Sequence, residues 1–154
     1  MKVKGELMYK RILLPTDGSQ PAHKAAEQAI WIASMSNAKL IVLHVIDTSI
    51  FTGLPSEESI SKVKEMLKNE EKEYFDTVQD MSLKYKEKHN IEIKLIFMSK
   101  EGHPAHTIRK IIDKENVDLV VMGTSGKHGM DRFLLGSVAE KVVRTASCPV
   151  LVVR

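Results

Sequence analysis

The stretch "VDLVVMGTSGKHGMDRFLLGS", Val117 to Ser137, joins an apolar run to a glycine-rich segment and to the start of a helical pattern. The run is continuously apolar rather than alternating, which is typical of a parallel strand covered by helices on both faces. The glycine-rich segment holds four of the eight glycines of the chain. We interpret the stretch as a buried strand, a loop at its carboxyl end and the first residue of a helix.

Four more apolar runs predict four more strands. The run that begins at Ile91 alternates in its first half, which predicts a position nearer an edge of the sheet. The four runs are "RILLP" (Arg11 to Pro15), "KLIVLHVI" (Lys39 to Ile46), "IEIKLIFM" (Ile91 to Met98) and "PVLVVR" (Pro149 to Arg154).

Helical patterns fill the gaps between the apolar runs. Ser19 and Pro21 open the first pattern, since a hydroxyl cap and an early proline are typical of a helix start. The second pattern, from about Glu57 to Lys88, would be about 48 Å long at 1.5 Å per residue, so it must overhang the sheet or be interrupted. The third follows "KEGHP", and the fourth runs from about Ser137 to Ala146.

The resulting order, βαβαβαβαβ, predicts an α/β fold in which a five-stranded parallel sheet carries helices on both faces. We expect a single domain over residues 1–154, because a chain of this length can bury roughly 70% of its unfolded surface around one core. In such sheets ligands bind beyond the carboxyl ends of the strands, where the strand order reverses. The glycine-rich segment falls at that position.

Composition excludes several classes of protein. The formal charge is +3, but lysines alternate with glutamates, as in "KVKEMLKNEEKEY", which indicates a solvated helix face rather than a nucleic-acid surface. One cysteine permits no internal disulfide, and no apolar run approaches the ~20 residues that cross a bilayer. The start "MKVKGELMYKR" lacks a signal-peptide core. We expect a cytoplasmic protein that binds neither membrane nor nucleic acid.

The glycines have the spacing G-x2-G-x9-G-S over Gly123, Gly126, Gly136 and Ser137. Glycines ahead of a helix start let a phosphate approach unpaired N–H groups, which favours a phosphate site. The same residues also fit a capping box, in which Ser137 caps the helix and Glu140 reaches back. The Walker loop and the usual dinucleotide fingerprint are both missing.

With "KRILLPTDGS", "LIVLHVID", "VDLVVMGTSGKHGMDRFLLGS" and "CPVLVV" in this order, the sequence resembles the universal stress protein family from Tyr9 to Arg154. The spacing G-x2-G-x9-G-[ST] is similar to the signature of its ATP-binding branch. The resemblance implies a Rossmann-like sheet with strand order 3-2-1-4-5. It also implies ATP as ligand, with Mg²⁺ or Mn²⁺ bridging phosphate oxygens and no protein ligand to the metal.

The resemblance implies ten nucleotide-binding positions and no catalytic residue. They are Asp17 at the ribose hydroxyls; Pro15, Thr16 and the backbone of Val45 around adenine; Met122 and Gly123 beside the nucleoside; and Gly126, Gly136, Ser137 and Val138 as phosphate donors.

Some assignments have alternatives. Asp17 in "TDGS" also fits a turn residue that bonds its own backbone. His44 is interpreted as a packed, hydrogen-bonded side chain and Cys148 as structural. As a hypothesis, Lys127 or Arg132 adds positive charge to the phosphate site. The resemblance further implies a homodimer in which the last strand, "PVLVV", pairs across a two-fold axis.

Three functions are therefore compared. The first is an ATP-binding regulatory module whose nucleotide state is read by an unidentified protein partner. The second is a slow ATPase, for which no residue beyond the loop donors, Lys127 and Arg132 can be nominated. The third is a dimeric stress protein of the branch without ATP, against which the intact glycines argue.

Overall fold

The computed structural model describes residues 8–126 and 134–154, in which strands and helices alternate. A short 3₁₀ helix, Thr48–Phe51, follows the second strand. The strands are β1 (Arg11–Pro15), β2 (Lys39–Asp47), β3 (Lys94–Gly102), β4 (Leu119–Gly123) and β5 (Val150–Val153). The helices are α1 (Gln20–Ser36), α2 (Glu57–His89), α3 (Pro104–Lys114) and α4 (Ser137–Thr145).

The strands form one parallel sheet in the order β3-β2-β1-β4-β5, so the predicted α/β fold and strand order are confirmed. The alternating run predicted to lie near an edge is the edge strand β3. It begins at Lys94 rather than Ile91 and continues to Gly102, past the predicted end at Met98. The reason is its partner, because β3 pairs with β2 along the full length of both strands.

Two apolar cores lie on opposite faces of the sheet. Ile12 and Leu14 of β1 pack with the buried alanines of α1 and with Val78 of α2. Leu13, between them in sequence, faces the other way and packs with the isoleucines of α3 and with Val142 of α4. The central strand is thus covered on both sides, which explains its continuous apolar sequence.

Helix α1 begins as the sequence predicts. The Ser19 side chain accepts a hydrogen bond from the Ala22 backbone N–H at 3.3 Å, and a proline stands in the first turn. Small side chains then let the helix lie close to the sheet. The buried alanines are Ala22, Ala25, Ala26, Ala29 and Ala33.

Helix α2 is a single uninterrupted helix of 33 residues, about 50 Å long, so it overhangs the sheet. No residue of α2 before Glu71 is buried. The overhanging part is held by Lys64, whose Nζ lies 3.1 Å from Glu101 Oε2 and 5.3 Å from the centre of the Phe51 ring. The start of α2 is therefore tied to the end of β3 and to the 3₁₀ helix.

A buried polar cluster joins α2 to the sheet. Glu71 Oε2 lies 2.8 Å from His44 Nδ1 and accepts a hydrogen bond from Ser99 Oγ at 2.8 Å. His44 and Glu71 are 8% and 9% exposed. His44 is thus packed and hydrogen-bonded, as predicted, and one carboxylate connects α2 with both β2 and β3.

Replacement of Glu71 should destabilise the fold, because Glu71→Ala would leave the buried His44 ring and the Ser99 hydroxyl without their acceptor. We expect the free energy of unfolding to fall by about 2 kcal/mol or more. Glu65→Ala on the exposed face of the same helix should change it by less than about 0.5 kcal/mol. Urea denaturation followed by circular dichroism measures both, and equal small effects would contradict a structural role for the cluster.

Candidate nucleotide site

A cavity of about 460 Å³ opens at the carboxyl edge of the sheet and brings all ten sequence-predicted site residues together. It lies at the ends of β1 and β4, where the strand order reverses, between the starts of α1, α3 and α4. The predicted residues in its wall are Pro15, Thr16, Asp17, Val45, Met122, Gly123, Gly126, Gly136, Ser137 and Val138.

Asp17 sits in a turn directly after β1. Its Oδ1 accepts a hydrogen bond from the Ser19 N–H at 3.0 Å, and Thr16 Oγ1 accepts one from the Gly18 N–H at 3.3 Å. The turn-residue interpretation therefore describes Oδ1. The other oxygen, Oδ2, faces the glycine-rich segment, since a Cβ built on Gly126 would lie 2.6 Å from it.

Two glycines of the motif permit close backbone approach. A Cβ on Gly123 would lie 2.7 Å from the backbone carbonyl carbon of Pro21, so this glycine lets α1 pack against β4. Gly136 donates a hydrogen bond from its N–H to Thr124 O at 2.7 Å, which joins the two ends of the segment. Lys127, His128 and Arg132 lie outside the described residues.

The start of α4 differs from the capping-box interpretation, which is wrong. Gly136 rather than Ser137 is the N-cap, and within the described residues no side-chain hydrogen bond caps the helix. Glu140 instead pairs with Arg144 at 3.0 Å, one turn further along. The first backbone N–H groups of α4 and the exposed Ser137 hydroxyl therefore stand at the cavity, where the positive end of the helix dipole favours an anion.

The rest of the cavity wall is largely apolar, and it includes eight residues that are not predicted from the sequence. Val45 is half-buried beside them. Two of these residues, Asp47 and Pro104, could have been predicted, because "HVID" and "KEGHP" stand at the carboxyl ends of strands, where ligands bind. Ile108 lies on the buried face of α3, and its sequence spacing gives no sign that it also reaches the cavity. The missed residues are Ala22, Leu43, Asp47, Ile50, Pro104, Ile108, Ser125 and Ala139.

The segment after β2 forms part of this apolar wall. Asp47 caps the 3₁₀ helix by accepting from the Ser49 N–H at 2.9 Å. Ile50, one residue further, is 43% exposed and lines the cavity. An apolar side chain on a short capped segment is thus presented to the cavity rather than to the core.

Residues 8–126 and 134–154 contain no group of three or more His, Cys, Asp or Glu side chains that could hold a metal ion.

Burial, with smaller contributions from Asp118 and Asp113, raises the pKa of the Cys148 thiol. The thiol is therefore less reactive than an ordinary one at neutral pH. Among residues 8–126 and 134–154 no helix is long and apolar enough to span a bilayer.

Comparisons with known proteins agree with this architecture. The model of the "Universal stress protein family" matches residues 8–154. A universal stress protein of Methanocaldococcus jannaschii is 44% identical over 150 residues, which are 97% of this chain and 85% of that protein. The structure of UspA from Lactobacillus plantarum superposes with a TM-score of 0.79 at 28% identity, covering 95% of this chain and 98% of that one.

A universal stress protein solved in complex with cAMP shares the fold, with a TM-score of 0.66 at 24% identity over 95% of this chain and 97% of the other. The family match extends over every described strand and helix, and the closely similar curated relative spans nearly the same length. This chain belongs to the universal stress protein family.

Proposed function

We propose that the chain is an ATP-binding universal stress protein that acts as a nucleotide-dependent regulatory module. The observation that carries the proposal is the convergence of three features on one cavity. These are the Asp17 carboxylate, the close-packed Gly126 and the start of α4, which no side chain caps within residues 8–126 and 134–154. A carboxylate accepts hydrogen bonds from neutral hydroxyl groups, whereas backbone N–H groups donate hydrogen bonds to phosphates. Both kinds of group lie side by side in the wall of the cavity.

The cavity has a different chemistry at each end, and the ends match the parts of ATP. Val45, Ile50, Pro104 and Ile108 supply an apolar end for the adenine ring, with Pro15 and Thr16 beside it. Asp17 would accept from the two ribose hydroxyls, next to Met122 and Gly123. Gly126, Gly136, Ser137 and Val138 would donate to the phosphates.

A divalent cation fits this site as a partner of the phosphates. Asp17 and Asp47 are the carboxylates in the described wall of the cavity, and each already caps or forms a turn through one oxygen. Mg²⁺ commonly keeps several waters and binds through substrate phosphates rather than through a cage of protein ligands. Mg²⁺ or Mn²⁺ would therefore enter with ATP and neutralise its charge.

The relative in complex with cAMP supports the fold, and the choice of ligand here depends on this chain's own residues. We propose that an occupied cavity holds the glycine-rich segment and the 3₁₀ helix in one arrangement, because both contribute to its wall. A protein partner in the cytoplasm would recognise that arrangement. The contacts of Phe51 with Lys64 would extend it to the overhanging start of α2.

Substitutions in the cavity should weaken ATP binding. Asp17→Ala removes the acceptor of the ribose hydroxyls, and Gly126→Val places side-chain atoms against Asp17 Oδ2. We expect each to raise the Kd for Mg-ATP by about ten-fold or more, as for the loss of a charge-assisted hydrogen bond. Isothermal titration calorimetry measures the change. Asp80→Ala, exposed on α2, is the matched control and should bind like the wild type.

We also propose a homodimer formed through β5. This strand is an edge of the described sheet, and its Leu151 is 38% exposed. Leu151 borders an apolar groove of about 440 Å³ whose wall includes Trp31 and Met35 of α1, which are 53% and 71% exposed. Among the described residues nothing pairs with this edge, and a second copy would protect both the edge and the apolar side chains beside it.

A charge placed at this edge should separate the subunits. Sedimentation equilibrium measures the mass of the particle in solution. The wild-type protein should give twice the chain mass of 17.3 kDa, and Leu151→Arg should give the chain mass itself. Leu83→Arg, at a 46% exposed position of α2, should remain dimeric. A monomeric wild type, or dissociation by both variants alike, would contradict the β5 interface.

A further inference from the structure

We propose that Tyr74 of α2 is a positioning residue for the nucleotide site. Its ring packs against Gly18 and thereby holds Asp17 where this residue would contact the ribose. The proposal rests on the proposed function, since it assigns a support to the ribose contact. It concerns a residue on the face of the sheet opposite α3 and α4, outside the described wall of the cavity.

The contact between Tyr74 and Gly18 is direct. A Cβ built on Gly18 would overlap the Cδ1 and Cε1 atoms of the Tyr74 ring and would lie 2.9 Å from Cζ. Gly18 also has φ +74, a conformation that side-chain-bearing residues rarely adopt. Both the backbone angle and the ring therefore require glycine at this position. The turn can be displaced toward α2 only if the ring moves.

The ring itself is fixed from two sides. The Tyr74 hydroxyl donates a hydrogen bond to Glu70 Oε2 at 2.9 Å, and the ring meets His44 edge to face with 5.3 Å between centroids. His44 is in turn held by Glu71, the neighbour of Glu70 on α2. Tyr74 thus lies between a turn that leads to the cavity and a cluster that anchors α2 to the sheet.

The position of the Asp17 carboxylate is constrained by close neighbours at both of its oxygens. Asp17 precedes Gly18, and its Oδ1 is used by the Ser19 N–H. Its Oδ2 stands against Gly126, where a single added carbon would be too close. Loss of the ring would leave a void behind Gly18 into which the turn can relax. Because hydrogen bonds weaken steeply with distance and angle, a small shift of Asp17 is enough to lose the ribose contacts.

The test compares two ligands that differ only in what Asp17 would bind. ATP carries both ribose hydroxyls, and 2′,3′-dideoxy-ATP carries neither. Wild-type protein should bind ATP about ten-fold or more tightly than the dideoxy compound, as expected for hydrogen bonds to a carboxylate. In Tyr74→Ala this preference should fall below about three-fold through weaker ATP binding, while dideoxy-ATP binds within about two-fold of wild type.

Two control variants separate positioning from general stability. Tyr74→Phe keeps the ring and should keep the wild-type preference. Tyr85→Ala removes a half-buried tyrosine of the same helix, whose hydroxyl lies 2.9 Å from Ser34 Oγ, and should also keep the preference even though it lowers stability. Tyr74→Leu keeps an apolar side chain on α2 but removes the ring that lies against Gly18. It should lower the preference as Tyr74→Ala does, so it serves if Tyr74→Ala does not fold.

The outcomes distinguish this proposal from the function on which it rests. A wild type that binds neither ligand overturns the proposed function and the positioning role with it, before any variant is made. A wild type that prefers ATP, with an unchanged preference in Tyr74→Ala or Tyr74→Leu, overturns the positioning role alone. A preference lost equally in Tyr85→Ala shows a general effect of destabilising α2 and also overturns it.

Discussion

The parallel pairing of β1 with β2 on one side and with β4 on the other determines where the helices and the cavity lie. It makes β1 the central strand, buried on both faces, and it puts the reversal of strand order between β1 and β4. The connections that leave β1 and β4 must diverge to opposite faces at that point. The cavity is the space that this divergence leaves.

The same pairing explains why one cavity holds residues from distant parts of the sequence. Asp17 follows β1, Val45 is near the end of β2, and Gly123 ends β4. Parallel strands bring these ends to one edge, and Gly123 allows α1 to pack tightly enough there to keep the Asp17 turn near the glycine-rich segment. A carboxylate, an apolar end and a helix start thus become neighbours without any of them being adjacent in sequence.

Much of this could be predicted from the sequence, because continuous apolar runs and capped helix starts report burial and hydrogen bonding locally. The fold class, the edge position of β3 and the start of α1 at Ser19 follow from such patterns. The ends of β3 do not, because pairing with β2 determines them. The local motif at Ser137 fits a capping box as one alternative, whereas the structure uses Gly136 as the N-cap and pairs Glu140 with Arg144.

The part of the site that the sequence could not predict depends on tertiary contacts. Ile108 has the spacing of a core residue, and only the position of α3 brings it to the cavity as well. The Tyr74 ring looks like one more apolar position of a long helix, yet it fills the space behind Gly18. Such roles depend on how α2 and α3 lie on the sheet, which no short stretch of sequence encodes.

Whether this cavity holds ATP can be decided by identifying the small molecules that the protein retains from the cell. The protein would be purified without added nucleotide and denatured, and the released small molecules identified and counted by mass spectrometry. We expect about one equivalent of ATP per chain, in keeping with a tight and largely preformed site. A preparation that releases no nucleotide and then shows no binding of Mg-ATP on titration would contradict it.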